Sequence, residues 1–447
     1  MYLSRPDRRR ARVAGTTAAL AMALLATVGP AQAAPAPPTA VTASAPGTTA
    51  AAPAGLDRKA LAASLDAVRA AGMYGVVASV RDGGQEWLGA TGVADVDTGR
   101  PMRPRLEQRV GSVTKAFTSV AVLQQVAKGR VDLDAPIGRY LPTTVPGERG
   151  QAITVRMLLN HTSGIGDYVL GAFPSLARNS ARSLDDYRFR HIGPEELVRI
   201  GLAAAPTGKP GETWSYSNTN YIIAGMLLQK VTGEDPEAYI TRNVIKKAGL
   251  RDTYFPRSPY VSGPHPKMYE SFYGLIDPPR DYSVYDMSWA GTAGALVSTT
   301  SDLNDFYRTL LRGRLLPAAQ LQEMRTTVPV LDENGTTVMR YGLGIYAFDL
   351  PCGRFWGHDG AVFGAGTAVL SSPDGKRQMS LAHNLMKYQR VGPDGKLEPS
   401  PIDEAFSGFY LQALCGTGAG ERSDQPVAPA VPLPRIQDLA PALAPRH

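Results

Sequence analysis

The sequence predicts an α+β fold, in which one antiparallel sheet built from both chain ends is flanked by helices and a mostly helical region is inserted between its two parts. Three observations carry that expectation. Early in the chain, "YGVVASV" and "QEWLGATGVAD" flank an Asp-Gly-Gly turn, a strong hairpin signal. Late in the chain, "GTAVLSS" and "RQMSLAHN" flank "PDGK", a second hairpin with Pro-Asp-Gly in its turn. Between them, over roughly residues 105–330, the apolar spacing is helical, and "KAFTSVAVLQQVAKG", "TVRMLLNHTSG", "NYIIAGMLLQKVTG" and "TSDLNDFYRTLLRG" each stop at a glycine.

Taken in order, the chain opens with a basic "RPDRRRAR", an apolar "VAGTTAALAMALLATVG" and the cleavage-like "AQA". That three-part pattern predicts a signal peptide over residues 1–33, cleaved near Ala33, and hence a secreted protein. Residues 34–54 are Pro/Ala/Thr-rich without periodicity and are expected to be a disordered leader, and 423–447 a disordered tail. One domain is expected over 55–422, its sheet part at about 55–105 and 330–422 and its helical part at about 106–329. A helix, "DRKALAASLDAVRAAG", precedes the first hairpin, and another, "IDEAFSGFYLQALC", follows the second.

Composition narrows the function. At 43% hydrophobic and 19% charged the chain reads as globular. Its formal charge of +7 drops to +3 without residues 1–33, which hold five Arg and one Asp. The basicity is thus largely in the targeting pattern, and no Lys/Arg run suggests nucleic acid. No later segment is long and apolar enough for a membrane anchor. The two cysteines, Cys352 and Cys415, are expected to pair in an oxidising compartment, tying the "DLPCG" strand to the last helix; two buried free thiols are the alternative.

Three short motifs could carry chemistry. "RVGSVTKAF" places Ser112 and Lys115 three apart at the start of a helix, where a cation and the helix N-terminus favour charge on the serine oxygen. Alone, it reads equally as a capping serine and an exposed lysine. "TWSYSNTNY" offers Tyr216 as proton acceptor and Asn218 as amide donor and acceptor, although taken alone the stretch reads better as a turn with an Asn cap and a core tyrosine. "WGHDG" offers His358, Asp359 and Gly360. No His spacing suggests a metal, no G-x-S-x-G elbow occurs, and no cofactor is expected. His191 reads as surface structure, and His161 and Ser163 of "LLNHTSG" as structural residues at a helix end.

S-x-x-K, Y-x-N and H-x-G in that order resemble the active-site set of serine β-lactamases and penicillin-binding proteins. The chain is most similar to the class C-like, secreted D-alanyl-D-alanine carboxypeptidases (DD-peptidases). "DLDAPIGRYLP", "ITVRMLLNHTSG", "WSYSNTNYIIAGMLL", "SWAGTAGALVSTTSDL" and the "CG…GHDG" stretch extend the likeness over nearly the whole core. The resemblance implies a β-lactamase/DD-peptidase-like fold and an acyl-enzyme on Ser112. It implies that Lys115 stabilises the ionised pair, that Tyr216 accepts and returns the proton, and that Asn218 holds the substrate amide. It further implies that His358 assists Tyr216 from its strand, that the backbone N–H groups of Ser112 and Ala361 form the oxyanion hole, and that Gly360 lets the strand approach. Trp289 of "SWAG" would line the pocket.

The carboxypeptidases of that family hold a terminal carboxylate with hydroxyls on the H-x-G strand and an upstream arginine. Here Asp359 and Ala361 stand at those strand positions, and "GIYAFDLPC" lacks an arginine. An acid beside a carboxylate is unfavourable unless strand alternation turns Asp359 away. The leading expectation is a D-alanyl-D-alanine carboxypeptidase-type hydrolase acting on cell-wall or other D-residue peptides. A D-amino-acid amidase, endopeptidase or esterase on the same scaffold is the alternative, then a class C-like β-lactamase. A small peptide or ester is the expected substrate, β-lactams are candidate acylating ligands, and a monomer is expected. A non-catalytic binding protein fits less well, since nucleophile and base motifs are both complete.

Overall fold

The computed structural model describes residues 55–332, 334–393 and 397–416; the expected signal peptide, leader and tail lie outside them. Within the described residues nine strands form one sheet, and every pairing in it is antiparallel. The sheet joins the chain ends: Gly75–Asp82 pairs with Arg377–His383, Val76 opposite His383 and Asp82 opposite Arg377. Both expected hairpins form, with Gly83 and Gly375 in the left-handed region at φ +59° and +68°. The α+β expectation, with one antiparallel sheet built from both chain ends, is therefore correct.

The helix Arg58–Ala70 starts where the Asp57 side chain accepts from Ala60 N. It packs with the last helix, Pro401–Cys415, on one face of the sheet, where Leu61, Leu65, Val68, Phe406 and Phe409 meet Val76, Val80 and Leu381. The opposite face receives Thr300–Leu311, whose buried Asn304 bonds to the sheet: its Nδ2 donates to the Ser79 carbonyl, and its Oδ1 accepts from Ser380 Oγ. Beyond it lies the helical region, in which Thr114–Ala127 is buried on nearly every side and packs on Asn218–Thr232. Cys352 and Cys415 are bonded, Cα atoms 5.4 Å apart, pinning the end of the last helix to the turn before Gly353–Val362.

That strand positions the site. Its pairing with Tyr346–Leu350 stops at Gly357, whereas its pairing with Ala365–Ser371 continues to Val362. One edge of 358–362 is therefore left open, and the turn that carries Ser112 sits against it.

Candidate active site

Ser112 lies in a 3-10 turn, Gly111–Val113, that runs directly into the helix Thr114–Ala127. One helical turn on, Lys115 Nζ sits 3.0 Å from Ser112 Oγ. Its other two contacts are pure acceptors, Asn218 Oδ1 and the Ala293 carbonyl, both at 2.8 Å. A neutral amine would spend its two N–H bonds there and aim its lone pair at the serine. Complete burial pushes the lysine down to about 7, against the opposing attraction of Asp167 and Asp359.

From the opposite side, the Tyr216 hydroxyl donates to Ser112 Oγ at 2.6 Å. Burial holds this phenol well above its usual range; the bond to Ser112 opposes the rise, and Asp359, Asp167 and Tyr221 add to it. The expectation of a tyrosine made basic by nearby cations therefore meets the reverse electrostatics. Of the two groups touching the serine, Lys115 is the one whose proton affinity suits a base near neutral pH.

Backbone geometry supplies the third element. A Cβ at Gly360 would lie 1.9 Å from the Val110 carbonyl oxygen, and one at Gly111 (φ +51°) would lie 2.6 Å from Ala361 N. The strand edge and the serine turn thus touch through backbone, which only glycine permits. This proximity sets the amides of Ser112 and Ala361 beside the same pocket, as an oxyanion site requires.

Asp167 is a site residue that sequence reasoning missed. Its Oδ2 accepts from Asn218 N at 2.7 Å and from Asn218 Nδ2 at 2.8 Å, and its Oδ1 accepts from Val169 N at 2.8 Å. Those bonds fix the Asn218 amide with its oxygen toward Lys115. Burial raises the Asp167 carboxyl, opposed by the N–H groups of Asn218 and Val169 and by Lys115. A second support is His161, fully buried at φ +62°, whose ring packs 4.4 Å from the Tyr216 ring and whose Nδ1 accepts from Ser217 N.

A cavity of about 70 Å³ opens in front of Ser112. Trp289 lines it, as expected, with Tyr168, Val169, Phe272 and Phe363, while Asp167, Asn218 and Lys387 add polar groups. Trp289 is packed against Phe363 and Phe173, ring centroids 5.0 and 5.4 Å apart.

Two expectations need correction. His358 does not reach Tyr216: it is fully buried and pairs instead with the Tyr341 hydroxyl, 2.8 Å from its Nε2, and with the Asp359 carbonyl through Nδ1. Burial and the charge on Lys115 push it down to about 3, so it stays neutral. Asp359, expected among the substrate-binding groups, does not line the Ser112 cavity. The strand turns it to the face that carries the C-terminal helix, where it borders a separate small cavity with His383 and Tyr410. Its charge still reaches Lys115 through space. Among the described residues no three His, Cys, Asp or Glu side chains converge as a metal site.

Comparison with known proteins agrees with this geometry. A family model described as Beta-lactamase matches residues 26–397. The esterase EstB of Burkholderia gladioli is 37% identical over 210 residues, 45% of this chain and 53% of its own length. A penicillin-binding protein of Bacillus subtilis (strain 168) is 28% identical over 304 residues, 66% of this chain and 64% of its own. The chain thus spans between half and two thirds of the length of these curated relatives. The solved structure of a D-stereospecific amidohydrolase from Streptomyces sp. superposes with a TM-score of 0.70 at 34% identity, covering 81% of this chain and 99% of that one.

Proposed function

Because the chain belongs to the beta-lactamase family of serine hydrolases, we propose that it is an amidohydrolase acting through an acyl-enzyme on amides and esters of apolar D-amino acids. One observation carries the reading: Ser112 Oγ lies between Lys115 Nζ and Tyr216 OH in a cavity walled by aromatic side chains and holding the Asp167 carboxylate. In this mechanism neutral Lys115 takes the serine proton as Oγ attacks the carbonyl carbon. The amides of Ser112 and Ala361 stabilise the resulting oxyanion. Tyr216, already a donor, passes a proton to the departing amine or alcohol, and water then releases the acid by the reverse path.

A carboxypeptidase would need a place for a second carboxylate. Asp167 already lines the cavity, and a second carboxylate beside it in a poorly solvated pocket is unfavourable. The nearby cations offer little relief, since Lys387 is matched by Glu270 at 3.0 Å and Lys115 feels both Asp167 and Asp359. The D-stereospecific relative supports the D-residue preference, and the esterase relative supports esters as substrates. The pattern of residues 1–33 supports export as the setting.

The test compares D-phenylalanine amide, L-phenylalanine amide and a peptide ending in D-Ala-D-Ala with a free carboxylate, followed by mass spectrometry with Ser112→Ala as control. Cleavage of the D-amide above the other two is expected. Preference for the peptide acid would replace this reading with the carboxypeptidase one.

A further inference from the structure

The wall of the Ser112 cavity contains a second buried lysine that the mechanism does not use. Lys387 lies just past the last sheet strand and is 7% exposed, with Nζ 3.0 Å from Oε2 of Glu270, which is fully buried. Glu270 is built in from three sides: its Oε2 also accepts from Gly364 N at 3.0 Å and its Oε1 from Phe272 N at 2.8 Å. Lys387 Nζ lies 5.0 and 5.4 Å from the ring centroids of Phe272 and Phe363, which line the same cavity.

The backbone here is held in an unusual state. Phe272, Tyr273 and Lys387 all lie in the left-handed region, at φ +46°, +60° and +47°, and Tyr273 N donates to the Lys387 carbonyl at 2.7 Å. Bulky side chains rarely adopt this region, and such outliers persist where surrounding contacts over-determine them. Here they turn a lysine and a phenylalanine into the same cavity and hold both against Glu270.

A lysine ammonium has three donors, and the bond to Glu270 uses one. Lys387 can therefore donate to a substrate oxygen, while the pair as a whole carries no net charge. A neutral carbonyl can take such a bond without adding charge to a poorly solvated cavity. A carboxylate would leave one negative charge uncompensated. Asp167, the acceptor on the cavity lining, suits the amine end of a substrate. Chain polarity then assigns the C-terminal oxygen to a donor, and Lys387 is the lining cation outside the Ser112 cluster.

We propose that the Lys387–Glu270 pair is the specificity element of this pocket for substrates longer than one residue: Lys387 binds the carbonyl beyond the scissile bond, the C-terminal carboxamide oxygen of a dipeptide amide, and Glu270 cancels the charge that would otherwise recruit a free carboxylate there. The inference rests on the amidohydrolase reading above, but it is tested by binding, which needs no turnover. In the Ser112→Ala protein, calorimetry with D-Phe-D-Phe amide and with the D-Phe-D-Phe free acid should show the amide at least tenfold tighter. Adding Glu270→Gln frees the cation and should strengthen the acid at least tenfold, closing or reversing the preference. Adding Glu270→Gln together with Lys387→Met removes the pair without leaving a charge behind and should weaken the amide about tenfold.

An unchanged amide preference in a folded Glu270→Gln protein would overturn the proposal, as would unchanged amide binding in the double variant. Should Glu270→Gln fail to fold by circular dichroism, the double variant decides alone. Binding that shifts as stated in a protein whose Ser112 form cleaves neither D-Phe amide nor the dipeptide amide would sustain this inference and sink the amidohydrolase reading. Turnover with no shift in binding would do the opposite.

Discussion

Two lysines line or underlie the same cavity, both nearly without solvent, and they differ in one respect. Lys387 touches a carboxylate at 3.0 Å, whereas Lys115 touches a hydroxyl, an amide oxygen and a carbonyl. The acids that attract Lys115, Asp167 and Asp359, act on it only through space and do not offset its burial. Lys387, held against Glu270, is a fixture for recognition. An unpaired buried lysine gives up its proton near neutral pH and becomes available for proton transfer. Contact with a carboxylate, more than burial, separates a binding lysine from a basic one here.

The most direct way to break that contrast is to test whether Lys115 behaves as a base. Lys115→Met should lower kcat/KM on D-phenylalanine amide by about 10²–10⁴-fold, the usual span for a positioned general base. In the unmodified protein the neutral amine is the active form and the lysine titrates at about 7. The kcat/KM should therefore fall about tenfold per pH unit on the acid side of that value and level off above it. A flat profile between pH 5.5 and 8.5 would mean that titration of Lys115 near 7 does not govern the rate.

The next effect concerns the backbone against which both proton-transfer groups work. Gly360→Ala would put a Cβ 1.9 Å from the Val110 carbonyl oxygen, so the strand edge must retreat from the serine turn. Displacing Ala361 N should cost about 10²–10³-fold in kcat, the loss typical of one oxyanion donor. Substrate binding at Lys387 should change much less, which steady-state kcat and KM would separate. A rise in KM alone would place the oxyanion site elsewhere.

Much of this was legible in the sequence because it is local. Ser112 and Lys115 share a helix turn, the two glycine-bearing hairpins announce the sheet, and Tyr216 and Asn218 flank a helix start. The arrangement around them is not local. Asp167 follows a loop and gains its meaning only from the helix start it caps, 51 residues on. Lys387 and Glu270 are 117 residues apart and meet because two short strands pair in parallel, Leu385 with Tyr269 and Met386 with Glu270. Asp359 stands in the motif among the substrate-binding positions, but it takes the route that strand alternation left open and faces away from the Ser112 cavity. His358 was misread: its motif marks the right strand, but Tyr341, 17 residues upstream, takes its imidazole.

That histidine sharpens the contrast as a third buried base, one without contact to the reacting serine. The Asp359 carbonyl can only accept, so Nδ1 carries the proton and Nε2 accepts from the Tyr341 hydroxyl. Tyr341→Phe would leave that lone pair buried without a donor, at a cost of about 1–3 kcal/mol in stability. Because the network supports Tyr216 only through packed rings, with His161 5.0 Å from Tyr341 and 4.4 Å from Tyr216, kcat/KM should fall less than about tenfold. Denaturant unfolding and steady-state rates on one preparation measure both. A loss of a thousandfold in kcat at unchanged stability would move His358 from the frame into the proton path. The contrast would then no longer turn on contact with a carboxylate, because a neutral base one ring behind the serine would be taking part in the chemistry as well.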